Sequence, residues 1–179
     1  MNNDVKAIIF DLDGTLVDSE PLQYQAFNEV FSRYGYPVSP EEYDQWRGWQ
    51  VVPRWIESRG LTLQPGPIRE QKKLIYDRLI RDEVTLKPGA RQLVEIGAKH
   101  FRLAIASGSR RDSIARCMSK FDLVRHFEVF CSTTEVNRGK PDPGVLLETA
   151  RRLSVPPGTV VVIEDSITAF SPSRSTGKR

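Results

Sequence analysis

Four short apolar runs, separated by stretches long enough for a helix, constrain this chain more than any other feature. Val5 to Phe10 reads V-K-A-I-I-F and stops at Asp11. Similar runs recur at Leu103 to Ala106, Phe127 to Cys131 and Val160 to Ile163. Runs this short and this apolar suit strands buried on both faces of a parallel sheet. The stretches between the last three runs carry helix signals. Ser109-Arg110-Arg111-Asp112 has the form of a capping box, with aspartate where glutamate is usual, and predicts a helix to about Lys120. Asp142-Pro143 offers an N-cap and a proline at the first helical position, predicting a helix to about Leu153. Pro156-Pro157-Gly158 then forces a turn before the fourth run. Strands and helices alternating this way predict an α/β fold: a Rossmann-like parallel sheet covered on both faces.

The segment from Leu16 to Lys87 follows another rule, because it holds no convincing strand. Leu22, Ala26, Phe27, Val30, Phe31 and Tyr34 share one helical face, and Gly35 stops that helix. Ser39-Pro40-Glu41-Glu42 is a capping box that starts a second helix. Further helices are expected over Val51 to Ser58 and Ile68 to Asp82. The chain therefore reads as a discontinuous α/β core, residues 1–16 and 87–170, interrupted by an all-helical cap domain, 17–86. Residues 171–179, S-P-S-R-S-T-G-K-R, have the composition of a disordered tail.

Several function classes are excluded by composition. A 39% hydrophobic and 27% charged chain of 179 residues is an ordinary globular protein of one domain, or one domain with an insert. The net charge of +3 is mild and its basic residues are mixed with acids, so no nucleic-acid partner is expected. No run approaches a membrane span and the first residues lack a signal-peptide layout, so no membrane partner is expected either. Cys117 and Cys131 give neither a disulfide framework nor metal-ligand spacing. The expectation is a cytoplasmic monomer.

Four motifs each lie just past the end of an expected strand, and in an open parallel sheet those ends converge on the usual ligand crevice. Asp11-Leu12-Asp13-Gly14-Thr15 places two carboxylates at i and i+2, both able to reach a ligand over the first strand. An acidic turn that uses Asp13-Gly14 only for its geometry is the plainer alternative. Ser107-Gly108-Ser109 brings hydroxyls and backbone N–H groups to a helix start, which suits a phosphate, although Ser109 can equally be a simple N-cap. Gly139-Lys140-Pro141-Asp142-Pro143 fixes a lysine that could neutralise a phosphoryl group, or that is merely a surface lysine. Glu164-Asp165-Ser166 closes an apolar strand with two acids, which is costly unless they bind a cation or cap a helix. Magnesium favours a few carboxylates plus water, matching Asp11 and Asp165 on adjacent strands.

Taken in order, D-x-D-G-T, S-G-S, G-K-P-D-P and E-D-S resemble the haloacid dehalogenase superfamily from residue 5 to about 169. The helical insert is similar to the cap of the branch that includes phosphoglycolate phosphatase and β-phosphoglucomutase. The resemblance implies a phosphatase acting on a small phosphorylated metabolite. It makes Asp11 the nucleophile and Asp13 the general acid and base. It has Ser107 and Lys140 hold the phosphoryl oxygens, with Gly108 and Ser109 beside them. It also implies Mg2+ bound by Asp11, the Asp13 backbone carbonyl and Asp165, with Glu164 close by. Substrate choice would lie in the cap, where Arg47 could meet a second anionic group and Trp46, Trp49 and Trp55 either serve the site or pack between helices. Gln23 stands where a phosphomutase of this branch needs histidine, which favours hydrolysis. The family continues past the fourth motif with a helix and at least one more strand, whereas here the match stops near Phe170. The sheet is therefore expected to lack its final strand or strands, which keeps a non-catalytic remnant or binding protein as an alternative.

Overall fold

The computed structural model describes residues 4–46, 50–136 and 142–165. The chain divides into two compact units, one built from Met1–Asp18 with Leu86–Arg179, the other from Ser19–Thr85. In chain order, strand β1 (Ala7–Phe10) comes first. Helices α1 (Glu20–Ser32), α2 (Pro40–Trp46), α3 (Val51–Ser58) and α4 (Pro65–Glu83) form the second unit. The chain then returns to the first unit through α5 (Ala90–Gly97), β2 (Arg102–Ser107), α6 (Arg111–Lys120), β3 (Val129–Ser132), α7 (Gly144–Arg152) and β4 (Val160–Ile163).

The four strands are all parallel, in the order β3-β2-β1-β4. Every residue of the central β1 is buried, as its unbroken apolar run predicts. Its side chains alternate between the two faces. Ala7 and Ile9 join Ala104, Ala106 and Cys131 and pack against Val145, Ala150 and Leu153 of the α7 region. On the other face, Phe10 meets Phe127 edge-on at 6.1 Å. Among the described residues β4 is an edge strand, and its Val161 is 40% exposed. Residues 166–179, including the segment read as a disordered tail, lie outside the described residues. Cys117 and Cys131 are both buried free thiols.

Three helices depart locally from the sequence reading. Helix α5 was not expected from the sequence; it turns Ala90, Val94 and Gly97 inward and leaves Leu93 and Ile96 exposed. Helix α6 starts at Arg111 behind an extended Arg110 and has no side-chain cap, so Ser109 is not its N-cap. Helix α7 starts at Gly144, and Asp142 Oδ1 accepts from the Gly144 N–H at 2.9 Å. The N-cap is therefore Pro143 and not the expected Asp142, which bonds the first helical N–H from one residue outside it.

In the helical unit, α1 buries Leu22, Ala26, Phe27, Val30 and Phe31, and α4 turns Ile68, Ile75 and Leu79 inward. The chain stops being helical at Ser32, so Tyr34 falls off the expected face and is 36% exposed. Gly35 takes a φ of +85°, and the Tyr36 N–H closes the turn onto the Phe31 carbonyl at 3.0 Å. Ser39 caps α2, accepting from the Glu42 N–H at 3.2 Å. Trp55 is a packing residue: its ring lies 4.1 Å from that of Phe31 and edge-on to Phe27, and its indole N–H donates to Glu42 at 3.0 Å. No helix among the described residues is long and apolar enough to cross a membrane.

An ion cluster fastens α7 to the end of β3. Arg152 pairs with Glu135 at 2.6 Å and with Glu148 at 2.7 Å, and Arg151 also pairs with Glu148 at 2.7 Å. Hydrogen bonds from Arg151 and Arg152 pull the Glu148 carboxyl down from its ordinary 4.5 to about 2. A carboxyl depressed on folding stabilises the native state above its unfolded value, and that contribution fades as pH falls towards the folded value. Glu148→Gln is therefore expected to lower the urea midpoint near neutral pH. The gap to the parent protein should narrow steadily from about pH 4.5 down to about pH 3, as read by denaturation curves across that range.

Candidate active site

Strand β1 pairs with β4 so that Phe10 stands opposite Ile163. The Asp11 N–H extends the ladder by donating to the Ile163 carbonyl at 2.9 Å. The residues that follow each strand are therefore forced together. Asp11, Glu164 and Asp165 each offer a carboxylate oxygen, and these lie within 4.8 Å of one another. Asp11 is only 7% exposed; Glu164 is half-buried and Asp165 exposed. Three carboxylates this close repel, and burying one makes the repulsion costlier. An oxygen-loving cation between them reverses that sign.

The loop after Asp11 folds back on itself. The Leu16 and Val17 N–H groups both donate to the Leu12 carbonyl, at 3.0 and 3.1 Å, and the Gly14 N–H donates to Val17 at 3.0 Å. Gly14 has a φ of +78°, a conformation that side chains resist. A Cβ built on it would lie 2.2 Å from Asp165 Oδ2. The turn thus requires glycine, and a side chain there would also have to push the exposed Asp165 carboxylate aside. The exit from the loop is tied down by the Lys87 N–H on the Leu16 carbonyl at 2.9 Å and by a Lys87–Asp18 ion pair at 2.9 Å.

Motif two meets motif one from strand β2. Ser107 is fully buried. Its hydroxyl lies 3.4 Å from Asp13 Oδ2, and the Ser109 hydroxyl donates to the same oxygen at 3.0 Å. The Ser109 N–H donates to Ser107 Oγ at 3.0 Å. Gly108, between them, faces open space. Behind this group lies Cys117, whose thiol is pushed up to about 12 by burial and then by the charge of Asp13. That thiol stays protonated near neutral pH.

Six of the residues singled out from sequence thus converge within one unit: Asp11, Asp13, Ser107, Ser109, Glu164 and Asp165. Lys140 and Arg47 lie outside the described residues. Gln23 sits on α1 of the helical unit, where it accepts from Lys72 Nζ at 2.5 Å. Neither Lys72 nor Lys87 stood out in the sequence. Each pairs with a residue 49 or 69 positions away, and no local pattern reports such contacts.

Residues 8–178 match the family of haloacid dehalogenase-like hydrolases. The chain belongs to that family. It is 30% identical to a phosphorylated carbohydrates phosphatase of Thermotoga maritima, over 97% of this chain and 82% of that protein. It is also 30% identical to hexitol phosphatase B of Escherichia coli, over 98% of this chain and 82% of the relative. Among solved structures, CbbY from Rhodobacter sphaeroides in complex with phosphate is similar, with a TM-score of 0.75 and 29% identity. That match covers 92% of this chain and 79% of CbbY. The parallel sheet and the four motifs fit this haloacid dehalogenase-like assignment.

The left-handed Gly14 gives a test. Gly14→Ala is expected to destabilise the metal-free protein by about 1 kcal/mol through left-handed strain. Urea titrations of the two proteins in EDTA measure it, and an unchanged midpoint would refute a strained turn at this position.

Proposed function

We propose that this haloacid dehalogenase-like hydrolase is a magnesium-dependent phosphatase acting on a small phosphorylated metabolite, a sugar phosphate or similar monoester, through an aspartyl-phosphate on Asp11. The observation that carries this reading is the convergence of a buried Asp11 with Glu164 and Asp165 while Asp13 is held alongside by two serine hydroxyls. The relatives named for phosphorylated carbohydrates and hexitols support the substrate class.

The donor set fits Mg2+: it is all oxygen, carboxylate-rich and open on the Asp165 side. Asp11, Asp165 and the Asp13 carbonyl would hold the ion, with Glu164 close by. When bound, it would offset the negative charge that Asp11 and a phosphoryl group bring together.

The chain's own residues account for the two chemical steps. An Asp11 carboxylate oxygen attacks phosphorus in line with the leaving oxygen. The bond from phosphorus to that oxygen breaks, its electron pair stays on the departing alcohol, and Asp13 supplies the proton. Water then attacks the same phosphorus and gives its proton to Asp13. The bond to Asp11 breaks, and its electron pair restores the carboxylate. Lys140 and Ser107 would hold the phosphoryl oxygens between these steps. Arg47 and Gln23 would belong to substrate recognition. Gln23 cannot relay a proton as histidine can, which favours transfer to water over transfer to a second sugar oxygen.

The test is phosphate release from an aryl phosphate and a panel of sugar phosphates, with and without EDTA. Release is expected to require Mg2+ and to fall by more than about a thousandfold in Asp11→Asn, with the thermal transition retained. Undiminished turnover in Asp11→Asn would overturn the nucleophile. Silence from the parent protein across the panel would favour a non-catalytic binding protein.

A further inference from the structure

We propose that Ser109 is a positioning residue for Asp13, fixing the carboxylate in the orientation from which it exchanges protons. This deepens the function proposed above and rests on the acid–base role of Asp13.

Ser109 does not cap the helix that follows it. Helix α6 begins at Arg111, its N-cap Arg110 is extended, and no side chain caps it. The Ser109 hydroxyl donates instead outside its own segment, to Asp13 Oδ2 at 3.0 Å, across 96 positions of sequence. Ser107 reaches the same oxygen only at 3.4 Å, which is long for a hydroxyl donor. The Ser107 hydroxyl is also engaged as acceptor for the Ser109 N–H at 3.0 Å. That bond holds the Ser109 backbone in place, so the shorter of the two contacts comes from an anchored residue.

A hydroxyl has one proton to donate. While it points at Asp13, the Ser109 hydroxyl is not donating to a phosphoryl oxygen. Its contribution is geometric. An aspartate side chain rotates about two bonds, and a proton-transfer group must sit within hydrogen-bond reach of its partner at the moment of reaction. A restraint on Oδ2 removes part of that freedom before substrate arrives.

The two chemical steps separate this role from phosphoryl binding or simple folding. Nitrophenolate is a stable anion and leaves without a proton, so its release on phosphorylation of Asp11 does not need Asp13. Hydrolysis of the aspartyl-phosphate does, because Asp13 must take the proton of the attacking water. Single-turnover release of nitrophenolate with enzyme in excess reads the first step, and steady-state phosphate release reads the pair. In Ser109→Ala the single-turnover rate is expected to stay within about twofold of the parent while steady-state turnover falls about tenfold or more. Ser109→Thr, which keeps the hydroxyl, should recover turnover to within about threefold. Equal loss in both readouts would assign the hydroxyl to the phosphoryl group or to the fold and overturn the proposal. Unchanged kinetics in Ser109→Ala would overturn it too. Asp13→Asn separates the two readings: if it turns over like the parent, the acid–base role itself fails, whatever Ser109→Ala does.

Discussion

The candidate site depends on the register between β1 and β4. Phe10 stands opposite Ile163, and the ladder continues through the Asp11 N–H to the Ile163 carbonyl. Asp11 and the Glu164-Asp165 pair therefore leave the sheet side by side. A slip of one residue would turn every side chain of β1 to the opposite face, taking Asp11 away from the other acids. What forbids the slip is apolar packing. Ala7 and Ile9 fit a cluster with Ala104, Ala106, Cys131 and the α7 residues Val145 and Ala150, while Phe10 abuts Phe127 on the other face. Polar or larger groups brought onto either face by a slip would lose these contacts at roughly 25 cal/mol for each Å² of apolar area. Residues that never touch a substrate thus hold the carboxylates together against their own repulsion.

The turn after Asp11 converts that strand geometry into a loop with one conformation. Three backbone bonds within Leu12 to Val17, the left-handed Gly14 and the Lys87–Asp18 pair specify the path. Asp13 is then presented towards Ser107 and Ser109 by the backbone, with its side chain only completing the contact. Loops that carry reacting groups on a rigid sheet edge commonly work this way, the scaffold supplying the precision.

The strands and the motif order were legible because they are local. An unbroken apolar run names a buried strand, and the acids or serines directly after it inherit its end. Cap signals were legible in part. Ser39 caps α2 as its motif predicts, since a hydroxyl beside a free helix N–H usually takes it, whereas Asp142 sits one residue outside the N-cap of α7. Helix α5 was missed although Leu93, Val94 and Ile96 give it an apolar stripe, because at eight residues it is too short to stand out beside the strand run that follows. The Gln23–Lys72 and Asp18–Lys87 pairs were not legible either, because they join distant segments only after the chain has folded.

Ser109 shows why a correct local signal can point to the wrong partner. Its sequence context is a capping box, and a side-chain cap contributes about 1 kcal/mol to a helix. Helix α6 forgoes that gain. Asp112 in its first turn, paired with Arg110 at 3.2 Å and Arg116 at 3.1 Å, offers the helix N-terminus a negative charge instead. The Ser109 hydroxyl donates its proton to Asp13 Oδ2 at 3.0 Å. An N-cap would use the hydroxyl oxygen as acceptor, whereas Asp13 takes its proton, so the partner is decided by what the folded chain brings within reach. That outcome needs Asp13 to be in place first, so it rests on the β1 register and not on the capping motif itself.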